Sequence, residues 1–138
     1  MDYTQQDVED LALCMYKEAR SLGSTGMISV GCVCVNRVGV PGFAFTLHDV
    51  IYGHNQFSSM SVSSDPEFNL VPDPSDPNYV LALSLASGIL DGSIPSNVGT
   101  AHYYEVEGTS NPWFDRVIKG DPINHPFVCQ IGTQLFFI

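Results

Sequence analysis

Glu18 stands where a proton-transferring carboxyl group is useful. It lies in LALCMYKEARSLG, residues 11–23, where Leu11, Met15 and Leu22 recur at helical spacing. Falling seven residues after Leu11 and three after Met15, it sits on the apolar side of that helix. A carboxyl group left unpaired on such a face keeps its proton more tightly, because burial penalises the charged form. A carboxylic acid of that kind suits cleavage of a sugar acetal, whose leaving oxygen must be protonated as its bond breaks. The competing reading is an ordinary glutamate paired with Arg20 or Arg37.

Three further groups carry polar or aromatic chemistry. HNQFSS, residues 54–59, offers a ring, an amide and hydroxyls in a short span suited to polar ligand groups, and Phe57 also reads as the buried anchor of a plain loop. In GTAHYYEV, residues 99–106, strand alternation puts His102 and Tyr104 on one face and Tyr103 and Glu105 on the other. NPWF contains Trp113, the sole tryptophan, either a core ring or a platform for the apolar face of a sugar. Two rival chemistries use some of the same residues. Cys14 with His102 as base would suit a cysteine amidase or peptidase. His102, His125 and Glu105 are potential metal ligands without a recognisable ligand spacing. No metal and no cofactor is expected.

Composition narrows the field. With 138 residues, 44% of them hydrophobic, the chain reads as one domain, residues 1–138, with a core of its own. Five basic residues against fifteen acidic ones give a net charge of -10, which supplies no electrostatic footprint for nucleic acid. The same balance opposes a polyanionic polymer at long range, although salt screens that repulsion beyond about 8 to 10 Å. Cys14, Cys32, Cys34 and Cys129 lack metal-knuckle spacing and read as free thiols among apolar neighbours. The opening MDYTQQDVED has neither the basic nor the apolar region of a signal peptide, and no apolar run is long enough to cross a bilayer. Synthesis in the cytoplasm is therefore expected, and a monomer is the favoured state.

The elements that must position these residues are mainly helical. Thr4 and Asp7 form a capping-box pattern for a helix running to about Leu22, where Gly23 stops it. Ser24 or Thr25 would cap the next element, MISVGCVCVNRV from Met27 to Val38. Its almost unbroken apolar character predicts a helix buried on all sides despite its valines. Thr46 caps a short helix through Ile51, and residues 54–75 read as a long loop with little regular structure. Asp76 or Ser75 before Pro77 opens another helix, closed by Gly92. Residues 101–106 read as extended, Asn111-Pro112 opens a short helix, and the apolar tail 127–138 forms a hairpin or a closing strand. The fold class is α+β, mainly α, with a small β element.

The order of these pieces resembles a known family. EAR at the end of one helix, NRV at the end of a glycine-containing helix, then QFS, GTAHYY, NPWF and IGxxxFF together resemble the spore-cortex-lytic and cell-wall hydrolase family, from about Val8 to Phe137. The resemblance implies a lysozyme-like, mostly helical fold that cleaves peptidoglycan glycan strands, in many members as a lytic transglycosylase. It implies that Glu18 is the catalytic residue and that Gln56, Phe57, Ser58, His102 and Tyr103 belong to the cleft. Several positions depart from the family pattern. Lys17 and Ser21 replace the glycines flanking EAR, Ala101 replaces a threonine while Thr100 offers a hydroxyl one place earlier, Ser59 replaces a frequent tryptophan, and the histidine of the closing motif is absent. They describe a diverged member, and a phage-borne lysis enzyme acting on the wall after release or delivery fits the sequence.

The implied bond is that between N-acetylmuramic acid and N-acetylglucosamine. One carboxyl group suffices for anhydro-sugar formation, serving as acid and then as base, with Tyr103 a candidate donor that orients it and Gln56 and Ser58 candidate holders of acetamido groups. A hydrolase would need a second carboxylate at roughly 5 to 9.5 Å. Asp49, Glu105 and Glu107 are the candidates, none as convincing as Glu18. Muramidase hydrolysis and a non-catalytic glycan-binding module stay open beside the transglycosylase and the amidase.

Overall fold

A computed structural model describes residues 1–138. Helix α1, Gln5–Ala19, starts at a complete capping box: the Thr4 hydroxyl accepts from the Asp7 amide, and the Asp7 carboxylate accepts from the Thr4 amide. Its apolar face buries Val8, Leu11, Ala12, Met15 and Ala19. The helix ends earlier than the sequence predicts. Arg20–Leu22 form a tighter 3-10 turn, and Leu22 is exposed rather than part of the apolar face. Gly23 then turns the chain at φ 70, a left-handed conformation that side chains disfavour.

Helix α2, Gly23–Arg37, therefore begins at the glycine itself, with no side-chain cap from Ser24 or Thr25. Its apolar run is buried on two sides, where the sequence predicts burial on all sides; Ile28 and Val35 stay partly exposed. Met27, Val30 and Cys34 join the core shared with α1, whereas Cys32 and Val33 face Val98, Ala101 and Phe136 beneath the sheet. Gly31 sits at the closest approach: an added Cβ would lie 2.8 Å from Ile89 and 2.9 Å from Met15. A side chain there would force the ends of the Ile89 and Met15 side chains to move.

Thr46 caps α3, Leu47–Tyr52, as predicted. The long loop then contains one short helix that was not expected, α4, Ser58–Ser61. Asp76 caps α5, Pro77–Asp91, whose Ala82, Ala86 and Leu90 close the α1–α2 core. Strand β1, Tyr103–Val106, is followed by α6, Pro112–Phe114, capped by Asn111, and by a wide π turn over Asp115–Lys119. The tail is a hairpin: β2, Phe127–Ile131, and β3, Gln134–Phe137. The sheet is antiparallel in the order β1-β3-β2, so the tail supplies the central strand, with Tyr103 opposite Phe137 and Val106 opposite Gln134.

The sheet separates two packing zones. Phe136 and Tyr104 face α2, while Tyr103, Leu135 and Phe137 pack with Phe114 and Ile118 on the other side. All four cysteines are free thiols; the Cys14 and Cys34 sulfurs lie 4.0 Å apart in the core. No helix is long and apolar enough to cross a membrane.

Candidate active site

Glu18 lies one residue before the end of α1, half-buried, and it is not unpaired. The Ser59 hydroxyl at α4 donates to Glu18 Oε2 at 2.7 Å, and the Tyr104 phenol on β1 donates to Oε1 at 2.9 Å. The expectation of a carboxyl alone on an apolar face is thereby corrected: a hydroxyl from a distant element meets each oxygen. The pairing with Arg20 or Arg37 does not form either. Arg20 bonds Glu67 at 2.5 Å, and Arg37 turns to His102 and Gln56. Burial, and after it the charge of Glu18, push the Tyr104 phenol well above its ordinary value. Tyr104 therefore stays neutral and remains a donor across the physiological range.

Beside this pair opens a cleft of about 320 Å³, walled by Arg37, Gly42, Phe43, Asn55, Gln56, Tyr103, Tyr104, Trp113 and Phe114. Glu18 is not one of the walls; Tyr104 connects the two, lining the cleft and holding the carboxylate. Arg37, 7% exposed at the end of α2, organises the opposite side. Its Nε donates to the His102 carbonyl at 2.7 Å and its Nη1 to Gln56 Oε1 at 3.3 Å. The guanidinium lies 5.1 Å from the Phe43 ring centre, 5.0 Å from Phe57 and 5.9 Å from Tyr103, within cation–π range. Next to it, Asn36 Nδ2 donates to the carbonyls of Gly99 and Ala101, each at 3.0 Å. The last turn of α2 thus fixes both the glutamine loop and the approach to β1.

The residues singled out from the sequence divide. Gln56, Tyr103 and Trp113 line the cleft, Trp113 with half of its surface exposed. Phe57 is 3% exposed and packs in the core under Arg37. Ser58 is exposed, and its hydroxyl donates to Asp65 at 2.6 Å. Thr100 is exposed outside the walls. His102 is half-buried, with its ring 5.9 Å from that of Phe43. Burial first, then the Arg37 charge, lower its pKa, so the imidazole is neutral at pH 7. The hydroxyl on Glu18 belongs to Tyr104; the Tyr103 ring instead stands edge-on to His125 at 5.3 Å.

No carboxylate lines the cleft walls. Glu105 is buried against Lys119 at 2.5 Å, Glu107 accepts from Gln130, and Asp49 lies in the first turn of α3. Cys14 is fully buried beside Cys34, and burial, then that neighbour, push its thiol well above the ordinary value, so no thiolate is offered to His102. No group of three or more His, Cys, Asp or Glu side chains is close enough to hold a metal ion. His102, His125 and Glu105 do not converge as ligands.

Residues 22–137 match the Cell Wall Hydrolase family. The chain belongs to that family. The chain is 25% identical over 134 residues to the spore cortex-lytic enzyme of Halalkalibacterium halodurans, covering 97% of this chain and 35% of that protein. The chain thus spans about a third of that relative's length. The fold is that of the catalytic domain of the germination-specific lytic transglycosylase SleB from Bacillus anthracis, at TM-score 0.72 and 24% identity over 99% of this chain and 97% of that one. The catalytic domain of Bacillus cereus SleB aligns at TM-score 0.70 and 23% identity, covering 99% and 93% of the two chains. The family match begins just beyond Glu18, so the placement of Glu18 beside the cleft is a separate, geometric observation.

Ser59, Tyr104 and Arg37 stand in the motifs already described, but the sequence does not assign them to the site. For Tyr104 a signal existed in the alternation of β1, and for Arg37 in the NRV motif. Ser59 lies in the polar HNQFSS span, but with α4 unpredicted nothing in the sequence directs its hydroxyl to Glu18.

Proposed function

We propose that this cell wall hydrolase cleaves peptidoglycan glycan strands between N-acetylmuramic acid and N-acetylglucosamine, as a lytic transglycosylase. The observation that carries the reading is a cleft with one carboxyl group at its edge, Glu18, and none on its walls. In the first half of the reaction the Glu18 acid gives its proton to the glycosidic oxygen, and the bond from muramyl C1 to that oxygen breaks. In the second half the carboxylate takes the proton of the muramyl 6-hydroxyl, whose oxygen bonds C1. The product is a 1,6-anhydro ring, water is not consumed, and Glu18 regains its proton. The hydroxyl donors at both oxygens fix the orientation of the carboxyl group and favour the carboxylate that takes the 6-hydroxyl proton.

The walls fit the same substrate. Trp113, Phe43 and Tyr103 offer ring faces for sugar rings, and Gln56 offers an amide for an acetamido group. The cleft's one charged wall residue is the cation Arg37, in a chain of net charge -10, which favours the carboxylates that muramic acid and its peptides carry. Among the relatives, one is named a spore cortex-lytic enzyme and another a lytic transglycosylase, which agrees in kind. The test is mass spectrometry of sugar ends released from purified sacculi by wild type and Glu18→Gln. Anhydro-muramyl ends are expected from the wild type, with a loss of about 100-fold or more in the variant. Reducing muramic acid ends would replace this reading by hydrolysis, free stem peptides by an amidase, and binding without release by a glycan-binding module.

A further inference from the structure

Two departures from the family pattern, Lys17 and Ser59, meet in space on the flank of Glu18. Lys17 precedes Glu18 on α1 and is 9% exposed, so its ammonium has left bulk water. Its Nζ donates to the Ser59 carbonyl at 3.2 Å and to the Phe68 carbonyl at 2.9 Å. Ser59 is 1% exposed, and its hydroxyl is the donor to Glu18 Oε2 at 2.7 Å. The three residues form one chain of contacts: ammonium to serine carbonyl, serine hydroxyl to carboxylate. Burying an ammonium is costly unless hydrogen bonds replace its hydration, and backbone carbonyls do so here. Burial lowers the Lys17 pKa, which agrees with that enclosure. The segment it grips has other fastenings. Arg20 bonds Glu67, and Ser58 bonds Asp65. Lys17 is thus not required merely to keep residues 58–68 attached, but it alone among these ties grips the backbone of the residue that touches Glu18.

We propose that Lys17 is a positioning residue for catalysis, holding Ser59 so that its hydroxyl fixes the orientation of the Glu18 carboxyl group. The inference rests on the reading of Glu18 as the acid. The carboxyl group is thus supported by a serine whose backbone an ammonium clamps. Ser59 is then the donor, and Lys17 acts only through it.

The test is a double-mutant cycle in the full chain, with kcat and KM measured on purified sacculi and thermal midpoints recorded beside them. Ser59→Ala should lower kcat about 10-fold with little change in KM, the loss expected for one hydrogen bond to a charged group. Lys17→Met should lower kcat by a similar factor, and the double variant should fall no more than about 2-fold below Ser59→Ala. Wild-type kcat in Lys17→Met, whatever its thermal midpoint, or losses that multiply in the double variant, would overturn the proposal. Should Lys17→Met not fold, Lys17→Arg carries the same cycle. The bulkier fork should lower kcat when Ser59 is present and not when Ala replaces it, and equal effects in both backgrounds overturn the idea. Glu18→Gln separates the two levels. If it keeps activity, the reading of the acid fails; if it abolishes activity while the cycle is multiplicative, only the role of Lys17 fails.

Discussion

Replacing Tyr104 by Phe removes one oxygen at the point where the cleft and Glu18 join. The ring can stay where it is, 5.7 Å from Phe136 and packed on the α2 side of the sheet. What disappears is the 2.9 Å hydrogen bond to Oε1, while the Ser59 bond to Oε2 remains. A hydrogen bond to a charged group is worth about 1.5–3 kcal/mol net, and about 1.4 kcal/mol is tenfold in rate. If the phenol orients Glu18 at the transition state, kcat should fall about 10- to 30-fold, toward the low end because the second donor persists. Stability should change much less. Glu18 is half-buried and keeps its Ser59 bond, so a cost of about 1 kcal/mol, roughly 3–5 °C in Tm, is expected. The assay is muropeptide release from sacculi at a temperature well below both midpoints. A kcat within about 2-fold of wild type would refute an orienting role, and a Tm loss beyond roughly 15 °C would show that the hydroxyl serves the fold instead.

Arg37→Met keeps the stem of the side chain but loses its bonds to His102 and Gln56 and its place over three rings. Stability should drop by about 3 kcal/mol, roughly 10 °C in Tm by calorimetry, and KM should rise as the Gln56 wall loosens. His102 has a pKa lowered by burial and by Arg37, so the unfolded chain takes up a proton that the folded chain refuses. Stability is therefore lost as pH falls below the ordinary imidazole value of about 6.5, and His102→Gln should show a shallower decline of Tm from about pH 7 to 5. Equal slopes for the two proteins would contradict this.

What was legible in the sequence is what depends on neighbours in sequence. The caps at Thr4, Thr46, Asp76 and Asn111 act within a few residues, and each starts the helix that its residue type announces. The apolar stretch of α2 foretold a buried helix, because little polar face was left to give to water, although two sides rather than all are covered. The start of α2 was misread because Gly23 does two things at once, ending one turn and opening the next helix, so Ser24 and Thr25 had no cap to make. The site itself resisted. Ser59 reaches Glu18 across 41 residues and Tyr104 across 86, and no periodicity records such contacts. Tyr103 and Tyr104 illustrate the limit. Alternation put them on opposite faces, but which face Glu18 would occupy depends on how the sheet docks on α2, and that is set by Cys32, Val33, Val98, Ala101 and Phe136.

The sheet order has a bearing on when the site comes into existence. The central strand, β3, is the last of the site's supports to leave the ribosome, and β1 pairs only with it. Until Phe136 and Phe137 emerge, Tyr104 has no partner strand to hold it against α2, whereas the α1–α2 hairpin closes over a short stretch of chain and can form early. Glu18 is thus among the first residues made and among the last to be completed. A chain that stops short of β3 carries Glu18 without the strand that holds Tyr104 beside it.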